Sequence, residues 1–478
     1  MGVNEVLERN QLSGFQISKA ALAVVVIFLI AFQEGALPAM LPVVLKDLKL
    51  AAGDAGWIAS ANAIFGALAI PIIGWLGDRF SKGWVFVSVV MVVCIGSVVC
   101  GVSTNLTSFL IGQTLFGISL ALHPLAIGVM AETFPRSRMA LGNGLVIGTF
   151  VIGTMTGLLL AGTVITHFGF SNIFFIPLPL IVLASFALGW VTYHHKTSRE
   201  SGHSLDIWGV MLLAMVSVAM MVGLGTGPMM GYTTPLPLTC LAIAFASTVS
   251  WVLVEFKQQS PVFDVRLFMR IDFCMICVVN VASGVASVGV AILVPLVLQA
   301  NNLTSGDLGS KATQTGVFIL PMGVFAMLSA FANHGVRKWI GKKFTVIFGA
   351  ASLWLSMFLL TIEHASIWQM LVAIAFCGIG MGLANTEVAN TVVESVGPEK
   401  AASATGFMYI LRNIGSIAAA QVVGGILRIS TDHATGVPSA TGFGRAFSVC
   451  AILTGVGLFA ALFIRSSRST LKYSGNQG

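Results

Sequence analysis

The segment "GWLGDRFSKGW" at residues 74–84 is a charged loop between two long apolar segments. It carries Asp78, Arg79 and Lys82, although only 9% of the 478 residues are charged. Hydrophobic residues make up 56% of the chain and its mean hydropathy is +0.93. This is more apolar surface than a soluble core of this length could hide. The composition therefore predicts an integral membrane protein, in which this loop connects two spans.

The other apolar segments have the same length and the same polar borders. They are about 20 residues long, which a helix needs to cross roughly 30 Å of hydrocarbon. Barrel strands would be about half as long and would alternate polar and apolar residues. The chain is therefore predicted to be an all-α integral membrane protein with fourteen transmembrane helices. The predicted spans are 19–42, 55–77, 84–103, 107–129, 140–162, 172–193, 206–226, 235–256, 270–297, 312–332, 343–362, 366–388, 401–424 and 444–465.

The distribution of basic residues predicts the orientation of these spans. If the N-terminus is cytoplasmic, 19 of the 25 Lys and Arg fall on the cytoplasmic side, five fall outside, and Arg412 lies within a span. This bias follows the positive-inside rule. We therefore predict a multi-pass membrane protein with both termini in the cytoplasm. Its short tails and the lack of an organellar address suit a bacterial cytoplasmic membrane. The net charge of +7 then requires no nucleic-acid partner.

The two halves of the chain are related by a repeat. "FGISLALHPLAIGVMAETFP" at 116–135 resembles "CGIGMGLANTEVANTVVESVGP" at 377–398, and "SKGWVFV" at 81–87 resembles "GKKFTVI" at 341–347. We predict an N-terminal six-helix bundle (1–193), a cytoplasmic linker (194–205), two inserted helices with the following cytoplasmic segment (206–269), and a C-terminal six-helix bundle with a short tail (270–478). Parallel repeats of this kind are typical of transporters that bind substrate between the halves.

The loop itself resembles a known family motif. Gly74, Leu76, Asp78, Arg79 and Lys82 are in register with the G-x-L-x-D-R-x-G-R-K loop of the major facilitator superfamily, although Ser81 and Gly83 depart from it. Further stretches resemble its fourteen-span drug:proton antiporter branch. They include "FPRSRMALG" at 134, "IFFIPLP" at 173, "LDIWG" at 205, "PVFDVRLF" at 261 and "LRNIGS" at 411.

This resemblance implies a function and a role for the loop. It implies a secondary active transporter that exports small amphipathic compounds in exchange for protons, by alternating access. The residues Gly74, Asp78, Arg79 and Lys82 would form a cytoplasmic latch that holds the outward-facing state, with the Asp near a helix N-terminus of the other half. The alternative interpretation is that a short loop needs charge only to stay in the cytoplasm.

Ionisable residues within spans are costly and therefore are candidate functional groups. Glu34, in "AFQEGALPAML", can alternate between protonated and ionised forms as its access to water changes, and it can also contact a cationic substrate. A structural, hydrogen-bonded Glu near the membrane boundary is the alternative. The related antiporters carry an Asp that aligns with Gln33, one residue earlier.

Arg412 cannot release its proton and so requires a carboxylate, carbonyl groups or an anionic substrate beside it. Glu387 and Glu34 are candidate partners, and a role in tethering helices is equally compatible with the sequence. His123 is a candidate second protonation site, or a hydrogen-bonded buried His beside Pro124.

Two positions depart from the antiporter pattern. Gln113 stands where the family carries an Arg, and Thr154 replaces the Pro of the G-P-x-x-G signature that includes Gly153 and Gly157. The small residues Gly148, Gly153 and Gly157 still predict close helix packing. The departures favour the alternative of a substrate-specific metabolite transporter, a symporter or facilitator of the same fold.

Other functional classes find little support in the sequence. No G-x-x-x-x-G-K-[ST] motif is present, so an ion gradient is the expected energy source. Cys274 and Cys277 are interpreted as packing residues and His194, His195 and His203 as part of a solvated linker, so no metal or cofactor is expected. A membrane-embedded enzyme and a non-transporting sensor are remote alternatives. The expected partners are a small-molecule substrate, protons and the lipid bilayer, and the expected state is a monomer.

Overall fold

The computed structural model describes residues 14–134, 139–193, 207–257, 265–300, 308–362, 366–396, 401–432 and 438–464. Nearly all of them are helical. The α-helices are α1 (Gly14–Asp47), α2 (Asp54–Arg79), α3 (Lys82–Gly101), α4 (Leu106–Gly117), α5 (Leu122–Thr133), α6 (Met139–Phe168), α7 (Asn172–Phe175), α8 (Leu178–Tyr193), α9 (Ile207–Met230), α10 (Pro235–Lys257), α11 (Ile271–Val288), α12 (Val294–Ala300), α13 (Leu308–Ile362), α14 (Ile367–Val396), α15 (Ala401–Ile429) and α16 (Ala440–Leu462).

The described helices provide 14 segments long and apolar enough to cross a membrane, which confirms the predicted fold class. Helix α13 supplies two of them, Thr313–Asn333 and Gly335–Ile362. Its only departure from helical geometry is at Gly341, where φ is +82°. A glycine adopts this left-handed conformation without a steric penalty. The chain therefore reverses at this single glycine, which lies in the interval 333–342 between the two predicted spans, and the rest of that interval is helical.

Two of the described spans contain a short segment of another helix type. The fourth consists of α4, a 3₁₀ segment at Ile118–Ala121 and α5. The ninth runs from α11 through a π-helical segment at Gly289–Leu293 into α12, and Pro295 lies just beyond that segment. A proline has no N–H to donate to the preceding turn, so the wider turn accommodates the missing hydrogen bond.

The helices pack in two groups, with the inserted pair at their junction. Helices α1 to α8 contact one another, as do α11 to α16. Helix α6 contacts α13 and α2 contacts α15, which joins the two groups. We call these two contact surfaces the seams. Helices α9 and α10 pair with each other, and α9 also contacts both α2 and α15. The inserted helix α9 therefore lies along one of the seams between the groups.

The two groups are joined at only one end of the described bundle. We call the end that holds the 74–84 loop the loop end, and the opposite end the far end. At the far end, residues 36–45 of α1 and 52–68 of α2 share one buried apolar core with the C-terminal group. At the loop end, residues 20–30 of α1 and 85–94 of α3 belong to a separate core formed by the N-terminal group alone.

Glycines on the two seams show the same difference in packing between the far end and the loop end. A side chain at Gly56 of α2 would collide with the carbonyl oxygen of Ala420 on α15. Gly74 lies five turns further along the same face of α2 and has nothing within 4 Å of the position of a Cβ. On the second seam, Leu158 of α6 packs tightly on Gly316 of α13, while Gly148 of α6 faces open space. Both seams are therefore closed at the far end and open at the loop end.

Candidate functional site

A cavity of about 210 Å³ lies within the N-terminal group, roughly halfway along its helices. It is lined by Gln33, Glu34, Leu37, Met40, Asn62, Gln113, Phe116 and Phe174. Glu34 is the one ionisable residue among these lining residues. The cavity thus combines apolar and aromatic walls with a few polar groups, as small-molecule sites commonly do.

The irregular fourth span positions the partner of Glu34. The 3₁₀ segment Ile118–Ala121 brings Ser119 against α1, and its hydroxyl donates a hydrogen bond to Oε1 of Glu34. Oε2 has no hydrogen-bond partner among the described residues. One carboxylate oxygen is therefore fixed by the protein, while the other is left to the cavity.

The neighbouring Gln33 is held differently, although the resemblance aligned the family's Asp with it. Its Nε2 donates to the carbonyl oxygen of Phe174 at 2.9 Å, and its Oε1 accepts from the hydroxyl of Ser97 at 3.1 Å. The side chain is only 1% exposed. Both ends of the amide are thus satisfied within the protein, whereas the carboxyl group at 34 has one oxygen without such a partner in the described part of the chain.

Gln113 is buried and joins three helices. Its Oε1 accepts from Nδ2 of Asn62 at 3.4 Å, and its Nε2 donates to Sγ of Cys100 at 3.5 Å. Asn62, Ser97 and Ser119 were not singled out from the sequence. Each is a polar residue within a predicted apolar span, and this was the signal that could have identified them.

His123 lies one helical turn from Ser119 and is not among the lining residues of the cavity. Its Nδ1 is 3.3 Å from the carbonyl oxygen of Leu120, and its ring packs edge-on against Phe150 with a centroid distance of 4.0 Å. Its Nε2 is buried and has no hydrogen-bond partner in the part of the chain that the structure describes.

Glu387 does not pair with Arg412, and this corrects one of the two pairings considered from the sequence. Oε2 of Glu387 lies 3.6 Å from Nη1 of Arg337, and the Glu387 side chain is fully buried. The predicted spans placed Arg337 in a loop at 333–342. Because α13 stays helical up to the break at Gly341, Arg337 is instead carried to the side of α14 that holds Glu387.

Arg412 contacts an aromatic ring of its own helix. Its guanidinium carbon lies 5.2 Å from the ring centroid of Tyr409, one turn earlier on α15. The structure brings Arg412 together with neither Glu34 nor Glu387. The candidate residues of the C-terminal group thus form separate contacts and not one cluster with Glu34.

The motif residues at the loop end make local contacts. The guanidinium of Arg79 lies 5.3 Å from the ring centroid of Trp75, and the stem of Lys82 packs over Gly128 of α5. Gly74 faces open space. The side chain of Asp78 lies outside the described residues.

The three candidate packing glycines divide into two classes. Gly153 and Gly157 of α6 lie against backbone carbonyl oxygens of Phe28 and Phe32 on α1, where a Cβ would collide. Gly148 faces open space. Thr154, at the position of the family's Pro, donates from its hydroxyl to carbonyl oxygens one turn earlier at 3.1 and 2.9 Å. Helix α6 continues through it without interruption.

Comparison with known proteins places this architecture in a family. The model of the Major Facilitator Superfamily matches residues 23–420. The multidrug resistance protein Stp of Mycobacterium tuberculosis is 25% identical over 393 residues, covering 80% of this chain and 72% of Stp. The tetracenomycin C resistance and export protein of Streptomyces glaucescens is 25% identical over 390 residues, covering 80% of this chain and 70% of that protein.

Solved structures share the fold. A crystal structure of an auto-inhibited POT family peptide transporter superposes with a TM-score of 0.67 at 15% identity, covering 93% of this chain and 95% of that one. The family match, which extends over most of the chain, agrees with the fourteen spans and the two groups of helices. The protein therefore belongs to the Major Facilitator Superfamily of membrane transporters.

Proposed function

We propose that this protein exports small amphipathic compounds, such as drugs, dyes or related metabolites, across the bacterial cytoplasmic membrane in exchange for protons. Its similarity to Stp and to the tetracenomycin C export protein, over 80% of this chain in each case, supports export. A single copy of the chain contains both helix groups and the cavity, which supports a monomer as the working unit.

The proposed transport cycle depends on which end of the bundle is open. The distribution of Lys and Arg supports a cytoplasmic loop end, so the open seams would face the cytoplasm. Residues 1–193 and 270–478 would be the two halves that rock about the substrate. The linker 194–205 and the inserted region 206–269 would connect them. Loading would then occur from the cytoplasm in the conformation described here.

Glu34 is proposed as the coupling group, and its position in the cavity is the observation that carries the proposal. It provides the one ionisable side chain of the cavity lining, and Ser119 fixes only one of its two oxygens. A carboxyl group at this position can hold either a proton or the cationic part of a substrate, but not both comfortably. Competition between the two would link substrate release to proton uptake at the far end.

The loop motif is proposed as the latch of the opposite state. Gly74, with nothing within 4 Å of a Cβ position, lies on the face of α2 that contacts α15 at the far end. When the seam closes at the loop end, Gly74 would allow α15 to approach. Asp78, Arg79 and Lys82 would then hold the two halves together by polar contacts.

A second candidate is a metabolite symporter or facilitator of the same fold. Gln113 favours it, because a neutral amide hydrogen-bonded to Asn62 occupies the position of the family's Arg. A site with one protonatable carboxyl group can also couple substrate and proton movement in the same direction.

Dye transport by the purified protein in liposomes tests the proposal and separates the two candidates. A lipophilic cationic rhodamine ester is added outside liposomes that are acidic inside and contain a pH-sensitive dye. Antiport predicts rhodamine uptake accompanied by alkalinisation of the lumen, beyond the level of protein-free liposomes. Uptake without a change in luminal pH, or with acidification, would favour a facilitator or a symporter.

A further inference from the structure

We infer that Arg412 and Tyr409 form a binding subsite for the carboxylate group of an amphipathic substrate, on the C-terminal side of the space between the two groups of helices. This inference rests on the proposed transport function and adds to it a chemical class of substrate. The proposed function itself depends on Glu34, which lies in the N-terminal group.

The contacts of α15 show which of its faces points away from the space between the groups. Phe407 stacks on Trp251 of α10 with a centroid distance of 5.5 Å and an interplanar angle of 6°. Five turns further along the same face of α15, Gly425 packs on Pro228 of α9. This face is therefore covered by the inserted helices.

Tyr409 lies on the other side of α15. Successive residues of a helix are about 100° apart, so Tyr409 is about 200° around the helix from Phe407. Around the helix axis it falls between Met408, whose sulfur contacts Cys277 of α11, and Ala420, which lies against Gly56 of α2. Its side chain is nevertheless 50% exposed. Since the seam between α2 and α15 opens toward the loop end, this exposure is to the space between the groups.

Arg412 is held beside this exposed ring by its own stem. A Cβ at Gly284 of α11 would lie 3.1 Å from Cγ of Arg412, so the glycine leaves a groove that the stem of the arginine occupies. The ring of Tyr409 supports the guanidinium from the other direction at 5.2 Å. The position of the charge is thus fixed by packing before any ligand binds, which lowers the entropy lost on binding.

The guanidinium lacks an anionic partner. In the described part of the chain it forms no ion pair and donates no hydrogen bond, while Glu387 is paired with Arg337 and Asp54 with Arg428. The hydroxyl of Ser416 donates to the carbonyl oxygen of Arg412 and so supplies no acceptor. A guanidinium group has five N–H donors and stays charged. Arg412 is partly buried, and a partly desolvated guanidinium favours an acceptor that carries negative charge.

A carboxylate fits these donors best. Its two oxygens accept parallel N–H bonds from a guanidinium, and such charge-assisted pairs are stronger than neutral hydrogen bonds. The exposed ring of Tyr409 offers an apolar surface next to the charge for the body of the substrate. The substrate class is therefore an amphipathic organic carboxylate, whose anionic end lies at Arg412.

Equilibrium binding to the purified full-length protein in lipid nanodiscs tests this assignment. The probes are a rhodamine with a free carboxylate and its methyl ester, which differ only in the group that Arg412 would bind, and fluorescence anisotropy reports their affinity. We expect the wild type to bind the carboxylate about tenfold more tightly than the ester, a difference typical of one charge-assisted contact. Arg412→Gln should abolish the preference, and Arg412→Lys should retain part of it.

Arg445→Gln is the matched control, because Arg445 is an exposed arginine of α16 and its loss removes the same charge. It should leave the preference unchanged. Equal affinities of the wild type for both probes, or an equal loss of both affinities in Arg412→Gln, would overturn the inference. Binding is measured without a pH gradient, so a failure of proton exchange would leave this result intact. A loss of carboxylate preference would likewise leave gradient-driven transport of the ester measurable.

Discussion

Nη1 of Arg428 lies 3.0 Å from Oδ1 of Asp54, and this ion pair joins α15 to α2 at the far end of the bundle. The other oxygen of Asp54 accepts from the backbone N–H of Ala51 at 2.9 Å, which fixes the carboxylate. Two turns deeper, Nε2 of Gln421 donates to the hydroxyl of Ser60 at 2.9 Å. These contacts cross the seam that must separate when the far end opens, so they stabilise the conformation described here over the opposite one.

Asp54→Asn should therefore shift the protein toward opening at the far end. The pair is partly exposed, so its contribution is about 0.2–1 kcal/mol, which corresponds to a change of up to about fivefold in the ratio of the two conformations. Spin labels at Val102 and Ile429, which are exposed at the far ends of α3 and α15, measure the separation of the groups by electron–electron double resonance. Asp47→Asn, at an exposed acidic residue at the far end of α1, serves as the control for loss of an acidic charge. An unchanged distance distribution in Asp54→Asn would show that the ion pair does not stabilise the closed far end.

Arg337→Met should destabilise the C-terminal group, because it removes the arginine that lies 3.6 Å from the buried carboxylate of Glu387. Breaking a buried pair on one side costs about 3–5 kcal/mol. The double variant Arg337→Met with Glu387→Gln should recover much of this loss, since the charge is then removed from both sides. The apparent melting temperature of the purified protein measures both effects. If the double variant is no more stable than Arg337→Met, the pair does not account for the loss.

Gly157→Ala and Gly148→Ala should have opposite outcomes although they make the same chemical change in one helix. A Cβ at Gly157 collides with the backbone of Phe32, and overpacking of this kind costs about 1–3 kcal/mol. Gly148 faces open space, so alanine there should be neutral or should stabilise α6 by up to about 1 kcal/mol. Thermal unfolding of the two variants side by side provides the measurement. Equal melting temperatures would contradict the packing role assigned to Gly157.

Asp78→Asn should impair transport and leave the abundance of the protein in the membrane normal. The substitution removes the charge of the proposed latch but keeps the size of the side chain, so the state closed at the loop end would lose stability. Turnover of the rhodamine ester, normalised to the amount of protein in the membrane, measures the effect. Turnover equal to that of the wild type would show that the motif is a charged loop without a latch function.

The spans were predictable from the sequence because each depends on a local property. An apolar segment of the right length forms a helix in a membrane whatever its neighbours are. The fourteen predicted spans, and the glycine-rich packing surface of the fifth, follow from residues close together in the chain. The motif at 74–84 could be identified for the same reason.

Contacts between spans were not predictable in the same way. The hydrogen bond from Ser119 to Glu34 depends on a short 3₁₀ segment, which the residues "ISLA" do not predict. The pairing of Glu387 with Arg337 depends on helix α13 continuing past residue 333, where charged residues suggested a loop. Asn62 and Gln113 meet because α2 and α4 pack closely, although 51 residues separate them. Side chains from distant segments are brought together by packing, which composition and spacing do not encode locally.

Glu34→Gln in the liposome assay tests the central claim most directly. The variant keeps a side chain of the same size that can accept a hydrogen bond from Ser119, but it cannot exchange a proton. Gradient-driven uptake of the rhodamine ester and the accompanying alkalinisation should fall by about tenfold or more. Exchange of labelled for unlabelled dye without a gradient should persist, which would show that the variant is folded and binds dye. Unchanged gradient-driven uptake and alkalinisation in Glu34→Gln would contradict the assignment of Glu34 as the coupling group.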